Sequence, residues 1–267
     1  MNSMKKQNIF ILFLFVTSIV TGCASSTEEG AIGLNRGQLL LVPSAEIDAA
    51  SAQSYEQLKQ EAQKAGKLNQ DSQATARVQS VMRKLIPQTA VFRKDAPGWK
   101  WESNVISQNE LNAFCMPGGK IIFYTGIIDQ LKLTDGEMAA IMGHEISHAL
   151  REHGRERMSE ELIKKYSMDI LVSTGKLDPK YSGIANTVST LAISLPHGRN
   201  QETEADKMGL ELMSRAGYDP NEAVSLWRKM AAQSKGGKMP QFLSTHPADE
   251  NRIQNLQALL PKMKNLK

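Results

Sequence analysis

Histidine is scarce in this chain, with five among 267 residues, and cysteine is scarcer still, with two. Two cysteines allow at most one disulfide, so an architecture stapled by several is excluded. Neither sign of charge dominates: the net charge is +4 at pH 7, a weak balance that argues against nucleic acid as a partner. No apolar stretch reaches the roughly 20 residues that a bilayer-spanning helix needs. The run from Ile9 to Val20 is too short, and Met168–Leu195 is broken by Gly175, Asp178, Pro179 and Gly183. What is present is a 41% hydrophobic chain long enough for one sizeable globular domain.

The first 22 residues read as a leader. Lys5 and Lys6 form a basic start, and the apolar run behind them has the length of a signal-peptide core. It closes in Val20-Thr21-Gly22-Cys23, which resembles the lipobox of bacterial lipoproteins. That resemblance implies cleavage before Cys23 and lipidation of Cys23; an ordinary secretory leader with an incidental cysteine is the alternative. Ala24 stands where lipoproteins kept at the inner membrane commonly carry Asp. The expected location is therefore the periplasmic face of a bacterial outer membrane, held by the lipid anchor. With Cys23 so used, Cys115 has no partner and reads as a small packed residue. Residues 24–50, rich in Ser, Gly and Ala and interrupted by Pro43, read as a tether. The expected organisation is a leader over 1–22, a lipidated tether over 23–50 and one catalytic domain over 51–267.

The domain is organised around Gly143-His144-Glu145-Ile146-Ser147-His148, which contains His-Glu-x-x-His. Positions four apart on a helix project about 40° from each other, so His144 and His148 can reach one metal ion from one face. Glu145 beside them can take a proton from water, which is the arrangement of metal-assisted peptide hydrolysis on zinc. The helix has its own local signals. Thr134-Asp135-Gly136-Glu137 reads as a capping box, Leu133 and Met138 as its hydrophobic staple, and Gly154 as a stop. A chance match on an ordinary amphipathic helix is the alternative reading.

Upstream, helices are expected over Ala49–Lys64 and Asp71–Leu85, the second ended by Pro87. A small sheet follows, with Lys120 to Thr125 as a strong β run. Asn112, Ala113 and Phe114, leading to Cys115 and Met116, form a candidate edge strand for pairing with an extended substrate; a plain hairpin strand is the alternative. Two histidines leave zinc short of a protein ligand. Nine steps of about 100° put His153 on the far side of the zinc helix if that helix continues, so His153 reads as structural. Glu202 and Asp206, four apart on a second helix running to about Arg215, fit better: Glu202 can coordinate, while Asp206 accepts the free ring proton of a liganding histidine. Arg199, one turn earlier, would balance that charge. Glu204 alone reads as a solvated helix face, and His246 as a loop histidine ahead of a final helix from Pro247 to Leu260.

Taken together, Asn112-Ala113-Phe114 with Pro117-Gly118-Gly119, the His144 to His148 motif, Arg199 with Glu202 to Asp206, and Leu243-Ser244-Thr245-His246-Pro247 resemble metallopeptidase family forty-eight. These are the HtpX-like and CAAX-prenyl-endopeptidase-like gluzincins; within them the likeness is greatest to bacterial periplasmic lipoproteins related to the mitochondrial Oma-type protease. The resemblance spans roughly residues 70–262. It implies one zinc ion per chain on His144, His148 and Glu202, with Glu145 as general base. It further implies a substrate-binding edge strand and an approach of His246 to the metal, either to stabilise the tetrahedral intermediate or to occupy the open zinc position. His197-Gly198 stands where relatives usually have Tyr-Ser, and His197 is left out of the ligand set. No helical-repeat tail is expected after the final helix.

The expected fold is α+β, mostly helical: a gluzincin metallopeptidase domain with a small sheet whose edge strand faces the active-site cleft. The expected function is a zinc-dependent endopeptidase acting on misfolded or misassembled envelope proteins. Its rival is a zinc-stabilised lipoprotein that binds unfolded outer-membrane proteins through the edge strand as a chaperone or assembly factor. Oligomeric state has no sequence signal.

Overall fold

A computed structural model describes residues 23–170, 197–234, 241–246, 250–264 and 266. The leader, residues 171–195 of the Met168–Leu195 stretch and Pro247 lie outside them.

The helix carrying His144 and His148, α4 (Asp135–Leu150), is the axis of the domain, buried from Gly136 to Leu150. A helix buried on all sides is central, and α4, with its polar residues Glu137, His144, Glu145, Ser147 and His148 buried too, is packed by other elements along its length. Its start follows the sequence signal. Thr134 Oγ1 accepts from Glu137 N–H at 3.0 Å, and Glu137 Oε2 accepts from Thr134 N–H at 3.1 Å. Leu133 and Met138 are both buried at the staple positions. The helix stops four residues earlier than Gly154 suggests. Leu150 is the last helical residue, Glu152 takes a left-handed φ of 51°, and α5 (His153–Ile170) begins at once. His153 therefore opens a new helix instead of continuing round the old one. Glu152 is held in this conformation by Arg93 at 2.7 Å and Arg155 at 2.6 Å.

Against α4 lies α6 (Arg199–Arg215), and the two backbones nearly touch where both carry glycine. A Cβ on Gly143 would sit 2.9 Å from Gly209 O, and one on Gly209 would sit 2.6 Å from His144 N. Around this pair stand α1 (Ser44–Lys64), α2 (Ser72–Leu85, capped by Asp71), the short α3 (Thr125–Gln130), α7 (Asn221–Ser234), α8 (Gln241–Thr245) and α9 (Glu250–Met263). No helix among the described residues is long and apolar enough to cross a membrane.

The sheet has three strands, β3 (Glu102–Ile106), β5 (Lys120–Tyr124) and β4 (Ala113–Met116), with β5 in the middle, parallel to β3 and antiparallel to β4. β4 is thus an edge strand, and it packs against α4. Gly118 and Gly119, both at positive φ, make the turn from β4 to β5.

The segment expected as a tether is folded onto the domain. β1 (Cys23–Ala24) pairs with β2 (Gln38–Leu39), and the backbone N–H groups of Ala31 and Ile32 donate to Glu211 at 3.1 Å each. Glu28 N–H donates to Phe92 O, and Leu41 N–H to Ser159 Oγ. Composition misled here because Ser25 and Thr27, which look like flexible spacers, accept from Arg151, and the backbone N–H groups above find acceptors on the domain.

Candidate metal centre

All five histidines of the chain meet in one place. α4 carries His144 and His148, α5 starts with His153, α6 carries Glu202 and Asp206, and His246 follows α8. His197 stacks against the group, its ring 3.9 Å from that of His148 and 4.8 Å from that of His246.

Four side chains offer one donor atom each to a common centre: His144, His148, Glu202 and His246, all buried. His144 Nε2 lies 3.0 Å from His148 Nε2 and 3.2 Å from His246 Nδ1; Glu202 Oε1 lies 3.0 Å from His246 Nδ1 and 3.3 Å from His148 Nε2. A tetrahedral ion with bonds of about 2.0–2.1 Å has ligand atoms about 3.3–3.4 Å apart; these four separations are close to that, and the whole set lies within 4.8 Å.

The hydrogen bonds behind the centre decide which ring nitrogens face it with a lone pair. His144 Nδ1–H donates to Asp206 Oδ1 at 3.0 Å, which frees Nε2. His153 Nε2–H donates to Glu204 Oε2 at 3.0 Å, and burial holds the His153 ring neutral by lowering its pKa. Its Nδ1 therefore accepts from His148 Nδ1–H at 2.8 Å, which frees His148 Nε2 for the centre. Burial also pushes the His148 pKa well below its ordinary value, against the pull of Glu202. The ring lone pairs of His144 and His148 converging with the Glu202 carboxylate are what a borderline-soft divalent ion such as zinc binds.

Glu145 projects beside the centre. Its Oε2 accepts from Cys115 N–H at 3.3 Å, while the buried Oε1 has no hydrogen-bond partner and lies 3.3 Å from His246 Nε2. Burial raises its pKa, a shift only partly countered by His246 and His144, and this makes it a stronger base than an exposed glutamate. Cys115 is itself buried, with its thiol pushed up by burial and by Glu145, and is no nucleophile.

Three expectations meet a different arrangement. Arg199 is exposed at the start of α6; the cation beside the acids is Arg252 of α9, which reaches Asp206 with two nitrogens at 2.7 Å and Glu202 Oε2 at 2.7 Å. Burial alone would raise Asp206, but Arg252 and His144 hold it below its usual range. The Arg252 guanidinium also stacks on Trp227, 3.7 Å from the ring centre. Glu204 is not a solvated face: it is buried, with His153, Arg36 and Arg151 around it. At the edge strand, Asn112 O accepts from Tyr124 N–H, so strand alternation turns the backbone groups of Asn112 and Phe114 toward β5. The Phe114 ring packs in a core cluster with Tyr124. Ala113 and Cys115 turn their backbone groups away from β5, but both are buried and both N–H groups are engaged, that of Ala113 by Asn112 Oδ1 at 3.0 Å and that of Cys115 by Glu145.

Sequence comparisons agree with the geometry. The profile of Peptidase family M48 matches residues 72–260. The chain is 38% identical over 165 residues to the mitochondrial metalloendopeptidase OMA1 of Schizosaccharomyces pombe, covering 61% of this chain and 48% of that protein. It is 30% identical over 241 residues to the human mitochondrial metalloendopeptidase OMA1, covering 85% of this chain and 45% of that protein. The beta-barrel assembly-enhancing protease of Yersinia pestis is 29% identical over 172 residues, 60% of this chain and 34% of that protein. The chain thus spans about half, or less, of these relatives' length.

Proposed function

Because the chain belongs to peptidase family M48, we propose that it is a zinc-dependent endopeptidase of the bacterial envelope, lipid-anchored through Cys23 to the periplasmic face of the outer membrane. The observation that carries the reading is the set of four buried donor atoms within 4.8 Å of one another, with Glu145 Oε1 beside it, free of any hydrogen bond and 3.3 Å from His246 Nε2. His144, His148 and Glu202 would hold the ion, with Asp206 and the His153–Glu204 pair fixing the two ring tautomers. When bound there, zinc supplies a Lewis acid that polarises a carbonyl and acidifies water.

The protein groups do the rest. Glu145 Oε1 takes a proton from the attacking water as the new C–O bond forms, then returns it to the amine nitrogen as the C–N bond breaks. The Cys115 N–H holds the other carboxylate oxygen and so aims the base. With both N–H groups engaged, an extended peptide beside β4 has the carbonyls of Ala113 and Cys115 to pair with, a short edge that orients the chain without reading its side chains. His246 fills the remaining donor position and leaves no room for substrate, so the resting site is capped. Once displaced, its Nε2–H can stabilise negative charge developing on the carbonyl oxygen. Unfolded or misassembled envelope proteins are the proposed substrates, since an edge that contacts backbone requires an extended chain. The capped site also suits a second reading, an assembly factor whose hydrolysis is gated.

The test is zinc content and casein cleavage measured together for the wild type, Glu145→Gln and His246→Ala. About one zinc per chain in all three, cleavage lost in Glu145→Gln and increased in His246→Ala, is expected. Absence of stoichiometric zinc from the wild type, with no cleavage after zinc is added, would sink the endopeptidase reading.

A further inference from the structure

Arg36 belongs to the segment after Cys23, far in sequence from every candidate ligand, yet its guanidinium forks onto two buried carboxylates. Nε and Nη2 reach Glu204 at 2.6 and 3.0 Å, and Nη1 and Nη2 reach Glu156 at 2.5 and 2.9 Å. The rest of the segment holds Arg36 to this position: its carbonyl accepts from Arg151 Nη2 at 3.0 Å, and Gln38 Nε2 donates to Arg151 O at 2.5 Å. Glu204 in turn accepts from His153 Nε2–H, and His153 Nδ1 accepts from His148 Nδ1–H. A continuous path therefore runs from the N-terminal segment to a metal-ligating ring. We propose that Arg36 is a positioning residue for the metal ligand His148, acting through Glu204 and His153.

The physical reason lies in the carboxylate. Glu204 can pin the His153 tautomer only while its own plane is held, and the planar Arg36 fork engages both of its oxygens. Without it the carboxylate keeps Arg151 and His153 but can rotate, and the His153 ring follows. Partners behind metal-bound histidines govern affinity by orienting the ring, and their loss typically costs about tenfold to a hundredfold in metal binding. Arg36 is partly exposed, so its replacement does not open a cavity in the core.

The inference rests on the metal reading above, and its test separates the two. In the full chain in detergent, the zinc Kd by chelator competition and the cobalt(II) d–d spectrum are measured for the wild type, Arg36→Ala, Arg36→Lys, His153→Ala, the Arg36→Ala/His153→Ala pair and Glu211→Ala. Glu211 holds the same segment at Ala31 and Ile32 but has no place in the path. Arg36→Ala is expected to raise the zinc Kd about tenfold and alter the cobalt spectrum, Arg36→Lys to restore part of both, and Glu211→Ala to lower thermal stability at unchanged Kd. In the His153→Ala background, Arg36→Ala should have no further effect on Kd. A wild-type Kd and spectrum in Arg36→Ala would overturn the proposal, as would full additivity with His153→Ala. Failure of the wild type to bind zinc at all would overturn the functional reading, and this one with it.

Discussion

Arg252 is the residue on which the acidic side of the centre depends. It neutralises Asp206 and Glu202 together and is itself desolvated against Trp227. Its removal would leave two buried carboxylates without their cation, a change that typically costs about 3–5 kcal/mol. Arg252→Ala is accordingly expected to lower the melting temperature strongly and to weaken zinc binding about tenfold to a hundredfold, read by calorimetry and chelator competition; unchanged values would refute the assignment. Cys115 gives a contrary expectation: its thiol is buried and its pKa raised, so a maleimide should label it only after unfolding. Rapid labelling of the native protein would contradict the described packing. At this scale the sequence was partly legible. His144, Glu145, His148, Glu202 and Asp206 declare themselves through helical spacing. Arg252 does not, because it reaches the site from another helix and no local period marks it. Glu204 was misread for a related reason: it looks ordinary on its own helix, and only the turn at Glu152 brings His153 to it.

Among the elements, the α4–α6 pair sets the site's dimensions. His144 and His148 ride on one helix and Glu202 on the other, so the distance between the helices becomes the distance between ligands. Gly143 and Gly209 permit that distance, since a Cβ on either would strike backbone of the opposite helix. Gly209→Ala should therefore cost about 1–3 kcal/mol or more through overpacking. It should also weaken zinc binding, because the helices must part. A variant that is destabilised but binds zinc with native affinity would show that the spacing is set elsewhere. The start of α4 was legible from the capping box, and the edge position of β4 was expected from its place before a glycine turn and from the need to hold a substrate extended. The early stop of α4 was not, because it relies on a non-glycine residue in a left-handed conformation that arginines from two other segments stabilise.

For the whole molecule, the buried carboxylates predict how acid acts on it. Burial works to raise Glu137 and Glu156, but Lys229 with the Thr134 N–H in the first case, and Arg36 with Gln201 in the second, hold both below the ordinary value of 4.5. A folded-state pKa below the unfolded one means stability that is fully present above about pH 4.5 and lost as pH falls through the folded values. The melting temperature should therefore fall as pH drops from about 5 to 3, with Glu156→Gln less stable at neutral pH and flatter below; a rise on acidification would refute the assignment. The α+β, mostly helical fold was legible in the chain's periodicities, whereas the folded-down N-terminal segment was not, since its composition is that of a linker. That segment also fixes where the protein can work. If Cys23 carries the lipid, only two positions separate it from Ser25, whose Oγ accepts from Arg151, the residue closing the helix of His144 and His148. Two residues of extended chain reach at most about 7 Å. Such an enzyme would have almost no working radius: it would stand at one height above the bilayer and cut only what passes through that narrow layer.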